Sequence, residues 1–377
     1  MKKIAIGMLS VSLLISVWLG VTDTGHSAIK ALMFIPEILP NSPIHPQQWF
    51  IGEPIHQEVS FPSEGKMVTA DLYIPANDGE HPAVILFFGV VPAGPNDPRI
   101  VDLAHGLARS NMVVLIPWSD VMLTQRRLDP AAVSMLVEAF RYLEQHPSVD
   151  STTIGLGGFC VGASFAALAA QDERIRDRVA YLNFFGGYYN AKDLLISIAS
   201  QTRFYGSMTE PWQPRDDTRE VFTAHLIEGL SDANEQELFR QLFLEDKLKR
   251  GTTVSSLSDD GEIVYRLLSG VTRPEAQALI SFLPQVFLAS LQEISPSRNI
   301  VHLKAPVLAM HDREDTAIPS TESQRMADAL AGRNDVYHTE FSLFKHMDPS
   351  RTLPPPAMAR ELWKLATHMY HIMRLGT

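Results

Sequence analysis

The sequence predicts an α/β protein: a doubly wound, mostly parallel sheet with a helical cap inserted into it and a hydrophobic segment at its N-terminus. Three observations carry this. Residues 83–88 (Ala-Val-Ile-Leu-Phe-Phe) are an unbroken apolar run, the composition of a strand buried on both faces. Strand-like and helix-like periods alternate along most of the chain, as in a parallel sheet with right-handed crossovers. Residues 191–297 show no buried strand and carry amphipathic helical patterns instead.

The elements follow in order. Lys2 and Lys3 precede an uncharged apolar stretch at 4–21 and a polar one at 22–27, which together read as an export signal. The apolar stretch is long enough to span a bilayer. Residues 1–28 are therefore a signal peptide or a signal anchor. The reading leans to an uncleaved single-pass anchor with the body outside the cytoplasm. Cleavage after Ser27 would leave a periplasmic or secreted protein, and a buried N-terminal helix is the third option. Residues 29–55, with Pro36, Pro40, Pro43, Pro46 and Pro54, predict an extended linker. The core is expected over 56–190 and 298–377. Residues 59–62 and 67–74 predict an antiparallel pair around Ser63-Glu64-Gly65. After the strand at 83–88 come a helix near 97–110 and a strand at 112–116. The next helix opens at Asp129-Pro130, a capping residue with proline at the first position, and runs to about 146. A short buried strand at 152–157 leads into a helix of small apolar residues at 163–170, then a strand at 179–185. Cap helices are predicted at 219–230, 234–248, 262–268 and 274–291, the last broken or kinked at Pro284. Strand 305–310, helix 320–331, strand 336–344 and helix 356–375 complete the core.

Composition narrows the function. With 377 residues, 45% of them hydrophobic, the chain can bury a large core. A net charge of -11 argues against a nucleic-acid partner, which needs a basic footprint. The single cysteine excludes an intrachain disulfide. In an oxidising compartment a lone thiol is exposed to oxidation, so its retention favours a chemical role. No metal is expected, because no H-x-x-x-H or paired-cysteine spacing is present. No cofactor is expected either: in a dinucleotide reading of Gly155-Leu156-Gly157 the third glycine falls on Cys160, with no acidic ribose partner evident.

The decisive motif is Gly158-Phe159-Cys160-Val161-Gly162, between a predicted strand and a predicted helix. Such a turn throws its central side chain out at a strained corner, over the positive end of a helix that favours thiolate. It resembles the nucleophile elbow of the α/β-hydrolases, and with Cys in place of Ser it is similar to the dienelactone hydrolase branch. The resemblance covers about residues 56–190 and 298–375. It implies an α/β-hydrolase fold and the chain order nucleophile, acid, histidine.

The family's acid lies in a turn after a late strand. Here that is 311–319, and Asp315 matches a D-x-x-V-P pattern through Ile318-Pro319, with Asp312 and Glu314 as competing carboxylates. The histidine is expected after the final strand, which places His346 there. His338 falls inside that strand, and His302, His368 and His371 read as surface or helix-face positions. Oxyanion donors are expected at the amides of Val161 and, from the loop 89–94, Val90, although that loop lacks the family's His-Gly-Gly run. Arg126 and Arg127 are candidates for binding a substrate carboxylate, as the family's arginines do, or are simply solvated. The cap aromatics Phe204, Trp212, Phe222, Phe239, Phe243, Phe282 and Phe287 either roof an apolar acyl site or form the cap's own core.

The resemblance implies a carboxylic-ester hydrolase with a Cys-His-Asp triad, passing through a thioester acyl-enzyme. Its substrate would be a small-molecule ester, lactone or thioester. A non-catalytic binding protein on the same fold and an acyltransferase using the same triad are the alternatives. The inserted cap departs from the compact members of that branch, so their substrate does not carry over.

Overall fold

The computed structural model of the protein describes residues 22–40, 42–90, 94–245 and 257–376. Its strands in chain order are β1 (Ile55–Ser63), β2 (Lys66–Ile74), β3 (His81–Phe87), β4 (Val113–Pro117), β5 (Val149–Phe159), β6 (Leu182–Phe185), β7 (Thr202–Tyr205), β8 (Met208–Pro211), β9 (Val307–Asp312) and β10 (Val336–Phe341). Eight of them form one sheet in the order β1-β2-β4-β3-β5-β6-β9-β10. β2 runs antiparallel to both of its neighbours, and every other adjacent pair is parallel. The result is the mostly parallel sheet with helices on both faces that the sequence predicts. The β1–β2 hairpin closes through Glu64 (φ 48°) and Gly65 (φ 76°), two left-handed residues as a tight two-residue hairpin turn requires.

Alternation along the strands feeds two cores. Ala83, Ile85 and Phe87 of β3 face one side of the sheet, while Val84 and Leu86 face the other. The helices sort accordingly. In chain order they are α1 (Asp23–Ile38), α2 (Pro46–Phe50), α3 (Pro98–Arg109), α4 (Asp120–Thr124), α5 (Ala132–Glu144) and α6 (Val161–Ala169). Between β6 and β9 lie α7 (Ala191–Ser200), α8 (Asp216–Glu228), α9 (Ala233–Phe243), α10 (Asp259–Ser269), α11 (Arg273–Ser281) and α12 (Gln285–Glu293). The core then resumes with α13 (Thr321–Ala329) and α14 (Pro355–Leu375). α5 and α6 share a core with the residues inserted after β6, whereas α1, α3 and α14 cover the opposite face.

Three differences from the sequence reading have physical causes. Residues 29–55 are not an extended linker. α1 reaches Ile38 and buries Ala31, Phe34 and Ile35 against α3 and α14. Pro36 sits inside it and Pro46 occupies the first turn of α2, so these prolines punctuate helices that tertiary packing holds. Of the predicted N-terminal segment, residues 1–21 lie outside the described residues, and Thr22 caps α1 through its hydroxyl. No described helix is long and apolar enough to cross a membrane. The Asp129-Pro130 pair does not open its helix, which begins at Ala132: Asp129 instead accepts from Ser119 Oγ (2.6 Å) and the Ala131 amide (3.2 Å). The insertion also holds the β7–β8 hairpin and α7, neither legible as such, and the pattern at 274–291 splits at Pro284 into α11 and α12.

Candidate active site

Cys160 stands between the end of β5 and the start of α6, with φ 55° and ψ −136°. A positive φ is uncommon outside glycine and costs on the order of 1–3 kcal/mol, so it persists only where the surroundings enforce it. Here they do. A Cβ on Gly162 would overlap the Phe87 carbonyl oxygen, and one on Gly158 would lie 2.5 Å from the Gly162 carbonyl oxygen. Removing both Cβ atoms lets α6 press onto β3 and β5. Ala163, Ala166, Ala167 and Ala169 complete the fit, and the Cys160 amide is tied to the Phe185 carbonyl (2.9 Å). Val161 occupies the first helical position, so its N–H has no acceptor within α6. Gly89 (φ 69°) brings the strand exit against this turn. A Cβ there would stand 2.5 Å from Val161 Cγ2 and 2.9 Å from the Gly162 nitrogen, and Val90 follows directly.

Asp315 lies buried in the turn after β9. Its Oδ1 accepts from the amides of Ala317 (2.7 Å) and Ile318 (3.2 Å), so the Ile-Pro spacing is what holds the carboxylate in place. Its Oδ2 accepts from His346 Nδ1 at 2.7 Å, and His311 Nε2 stands 3.4 Å away. Burial alone would raise this carboxyl, but His346 and His311 outweigh it and hold Asp315 well below the usual carboxylate range. The competing acids are placed elsewhere. Asp312 accepts from the Glu314 amide (2.7 Å) and from Arg351 (3.2 Å), and burial pushes it up to about 6. The Glu314 side chain is 60% exposed.

His346 follows β10 in a tight turn closed by Lys345 N–H donating to the Asp348 carbonyl (2.7 Å), and its own φ is 61°. Its side chain is buried, which on its own lowers the ring's proton affinity. The charges of Asp315 and Cys160, with a hydrogen bond to each, reverse the direction and raise it well above the ordinary range. Nδ1 is engaged by Asp315, and His346 and Cys160 line the same cavity. His338 bonds Ser323 Oγ (3.0 Å), and His368 is buried against Asn183 (2.9 Å) rather than exposed on its helix.

Cys160, Val161, Val90 and His346 line one cavity of about 150 Å³. Four cations, Arg99, Arg126, Arg215 and Lys345, share its wall with Asp217, Glu220 and Asp348. Arg126 lies 3.5 Å from Glu220, while Arg127 is paired with Glu228 of α8 instead. Of the cap aromatics, Phe222 reaches this cavity; Phe204, Trp212, Phe239 and Phe287 are buried, and Phe282 is 72% exposed.

One group of residues escaped the sequence reading. The inserted segment is bonded to the backbone around Asp315. Trp212 Nε1 donates to the Asp315 carbonyl (2.7 Å), the Arg215 amide to that of Thr316 (2.8 Å), Thr218 Oγ1 to that of Ala317 (3.0 Å), and Arg203 Nη1 to that of Arg313 (2.7 Å). His311 is likewise buried and held to the Ile318 carbonyl (2.9 Å). No local pattern marks bonds that join positions about a hundred residues apart.

The model of the Dienelactone hydrolase family matches residues 119–220, the stretch from α4 through the elbow to α8. Over these residues, about a quarter of the chain, the sequence is similar to that family. A curated protein of Bradyrhizobium sp., named "Probable 2-oxo-3-(5-oxofuran-2-ylidene)propanoate lactonase", is 34% identical over 139 residues, which are 33% of this chain and 54% of that protein. The chain thus spans about half the length of the curated relative it matches. Among solved structures, an esterase of the archaeon Pyrobaculum calidifontis aligns at 15% identity over 92% of this chain and 90% of its own, with a TM-score of 0.47. A thermostable carboxylesterase from a metagenomic library aligns at 16% identity over 87% and 92%, with a TM-score of 0.46.

Proposed function

We propose that the protein hydrolyses small esters and lactones with Cys160 as nucleophile, His346 as proton carrier and Asp315 as the acid that orients it. The observation that supports this best is the 2.7 Å bond from His346 Nδ1 to the buried Asp315 carboxylate, with His346 and Cys160 lining one cavity. Asp315 fixes the ring's tautomer and favours its charged form, so the ring can take the thiol's proton as the sulfur attacks. The sulfur attacks the substrate carbonyl carbon, and the amides of Val161 and Val90 receive the oxyanion. Collapse expels the alkoxide or enolate, which takes the proton from His346. The ring then draws a proton from water as that water attacks the thioester, and thiolate leaves. A thiolate is itself a good leaving group, so this chemistry suits activated esters and enol lactones better than amides.

The match to the dienelactone hydrolase family and the lactonase named in Bradyrhizobium sp. support the same substrate class. The test is the rate of iodoacetamide alkylation against pH, by intact mass, in wild type and His346→Ala, beside hydrolysis of p-nitrophenyl acetate by Cys160→Ala. The expected result is fast alkylation that slows in His346→Ala, and no turnover in Cys160→Ala. Slow alkylation indifferent to His346, or full turnover without the thiol, overturns the reading.

A further inference from the structure

A second and larger cavity, about 370 Å³, lies under the sheet between β3, β5 and β6 and the helices α1, α3 and α14. Its wall is mainly apolar: Leu86, Leu103, Phe159, Phe185, Phe344 and Met369 are among its lining residues. The volume falls within the range of about 300–1,000 Å³ usual for small-molecule sites. Phe159, the residue before Cys160, stacks on Phe88 (4.8 Å between centroids) and packs on Phe185 (5.5 Å), which meets Phe344 (5.0 Å). Phe159, Phe185 and Phe344 of this row line the cavity.

The two cavities are neighbours. Arg99, Met347 and Asp348 line both of them. Met347 and Asp348 follow His346 in the same turn, so the partition begins one residue from the candidate proton carrier. Arg99 is held by Asp97 (2.6 Å) and feels the Asp348 charge, which leaves Met347 as the apolar member of the shared wall. Methionine is unbranched and adapts its shape to what lies against it.

We propose that the larger cavity takes the apolar acyl chain of the substrate, threaded past Met347 while the reacting carbonyl stays at Cys160. This rests on the hydrolase reading above and adds the substrate class, medium-chain acyl esters or alkyl-substituted lactones. Small substrates need only the 150 Å³ cavity. A chain that reaches the second one gains at most about fourfold in kcat/KM for each methylene it buries.

The experiment measures kcat/KM for p-nitrophenyl acetate, butyrate, hexanoate and octanoate in wild type, Leu103→Trp and Leu103→Phe. Leu103 lies on α3, away from the elbow and half-buried, and either ring fills the cavity to a different depth. Wild type is expected to gain at least about tenfold from acetate to hexanoate. Both variants are expected to keep acetate turnover, which reports an intact fold and site, and to lose that gain, Leu103→Trp at shorter chains than Leu103→Phe. A flat chain-length profile in wild type, or a gain that survives in the variants, overturns the proposal while leaving the hydrolase reading intact. Absence of acetate turnover in wild type overturns the hydrolase reading and takes this proposal with it.

Discussion

Asp315→Asn tests the candidate site most sharply, because it removes a charge and almost no volume. The carboxylate's Oδ1 takes two backbone N–H groups, and in the variant the amide oxygen is expected to keep them, since only an oxygen can accept. The amide nitrogen must then face His346 Nδ1, where it donates. That forces the proton to the other ring nitrogen, which turns the ring's Cys160 side from acceptor to donor and leaves no base for the thiol. A charge-assisted hydrogen bond is worth about 1.5–3 kcal/mol, or roughly 10- to 150-fold in rate. The wrong tautomer adds to this, as in a serine triad, where the same exchange costs about 10⁴. The expected loss in kcat/KM for p-nitrophenyl acetate is therefore between about 10² and 10⁴. His346 also loses the largest influence that raises its proton affinity, so the charged ring is lost at lower pH and alkylation of Cys160 at pH 7 slows. Thermal unfolding should move little. Activity within a few-fold of wild type would refute the assignment. An equal loss from Asp312→Asn would refute the choice of acid.

Three further outcomes follow from named contacts. Gly162→Ala places a Cβ on the Phe87 carbonyl and must part α6 from β3; a loss of about 1–3 kcal/mol in urea unfolding is expected, with thiol reactivity falling alongside. Trp212→Phe keeps the ring's bulk but strips the donor from the buried Asp315 carbonyl, which should cost about 1–3 kcal/mol in stability and lower kcat more than it raises KM. Burial lowers the buried His368 to about 3, so this ring is neutral when folded and protonates near 6.5 when unfolded. Between those values the unfolded chain binds the extra proton, and stability falls as the solution is acidified, by at most about 1.4 kcal/mol per pH unit from this group. His368→Gln should flatten the stability curve across that window, and unchanged slopes would contradict it.

The parts of the candidate site that the sequence points to are those marked by neighbours along the chain. Cys160 is marked by Gly158 and Gly162, whose missing Cβ atoms are needed within a few residues of it. Asp315 is marked by Ile318-Pro319, because the Ile318 amide is one of its own donors. His346 is marked by its place after the last strand. What failed was read from composition where packing decides. Pro36 looked like the mark of a linker, yet α1 is held by Phe34, which lies against Gly106 of α3, a contact that no local pattern carries. Trp212 is buried in the core, as one of its two readings had it, but the reading missed the bond of its indole N–H to the Asp315 carbonyl, which spans 103 positions. Arg126 and Arg127 are adjacent in sequence and diverge in space, one to the cavity and one to Glu228, because Arg126 adopts a left-handed backbone (φ 53°).

The bonds from Arg203, Trp212, Arg215 and Thr218 to the carbonyls of 313–317 make the inserted segment a splint for the turn that carries Asp315. A roof that also braces a supporting wall cannot be lifted without loosening that wall. The stretch from the β7–β8 hairpin to the start of α8 is thus a fixed abutment, and any widening of the site to admit substrate has to come from elsewhere, on the side of Val90 or of Lys345 to Asp348. Lengthening the insertion beyond α8 leaves the brace untouched. Shortening it before Thr218 would slacken the acid even though no residue of the elbow had changed.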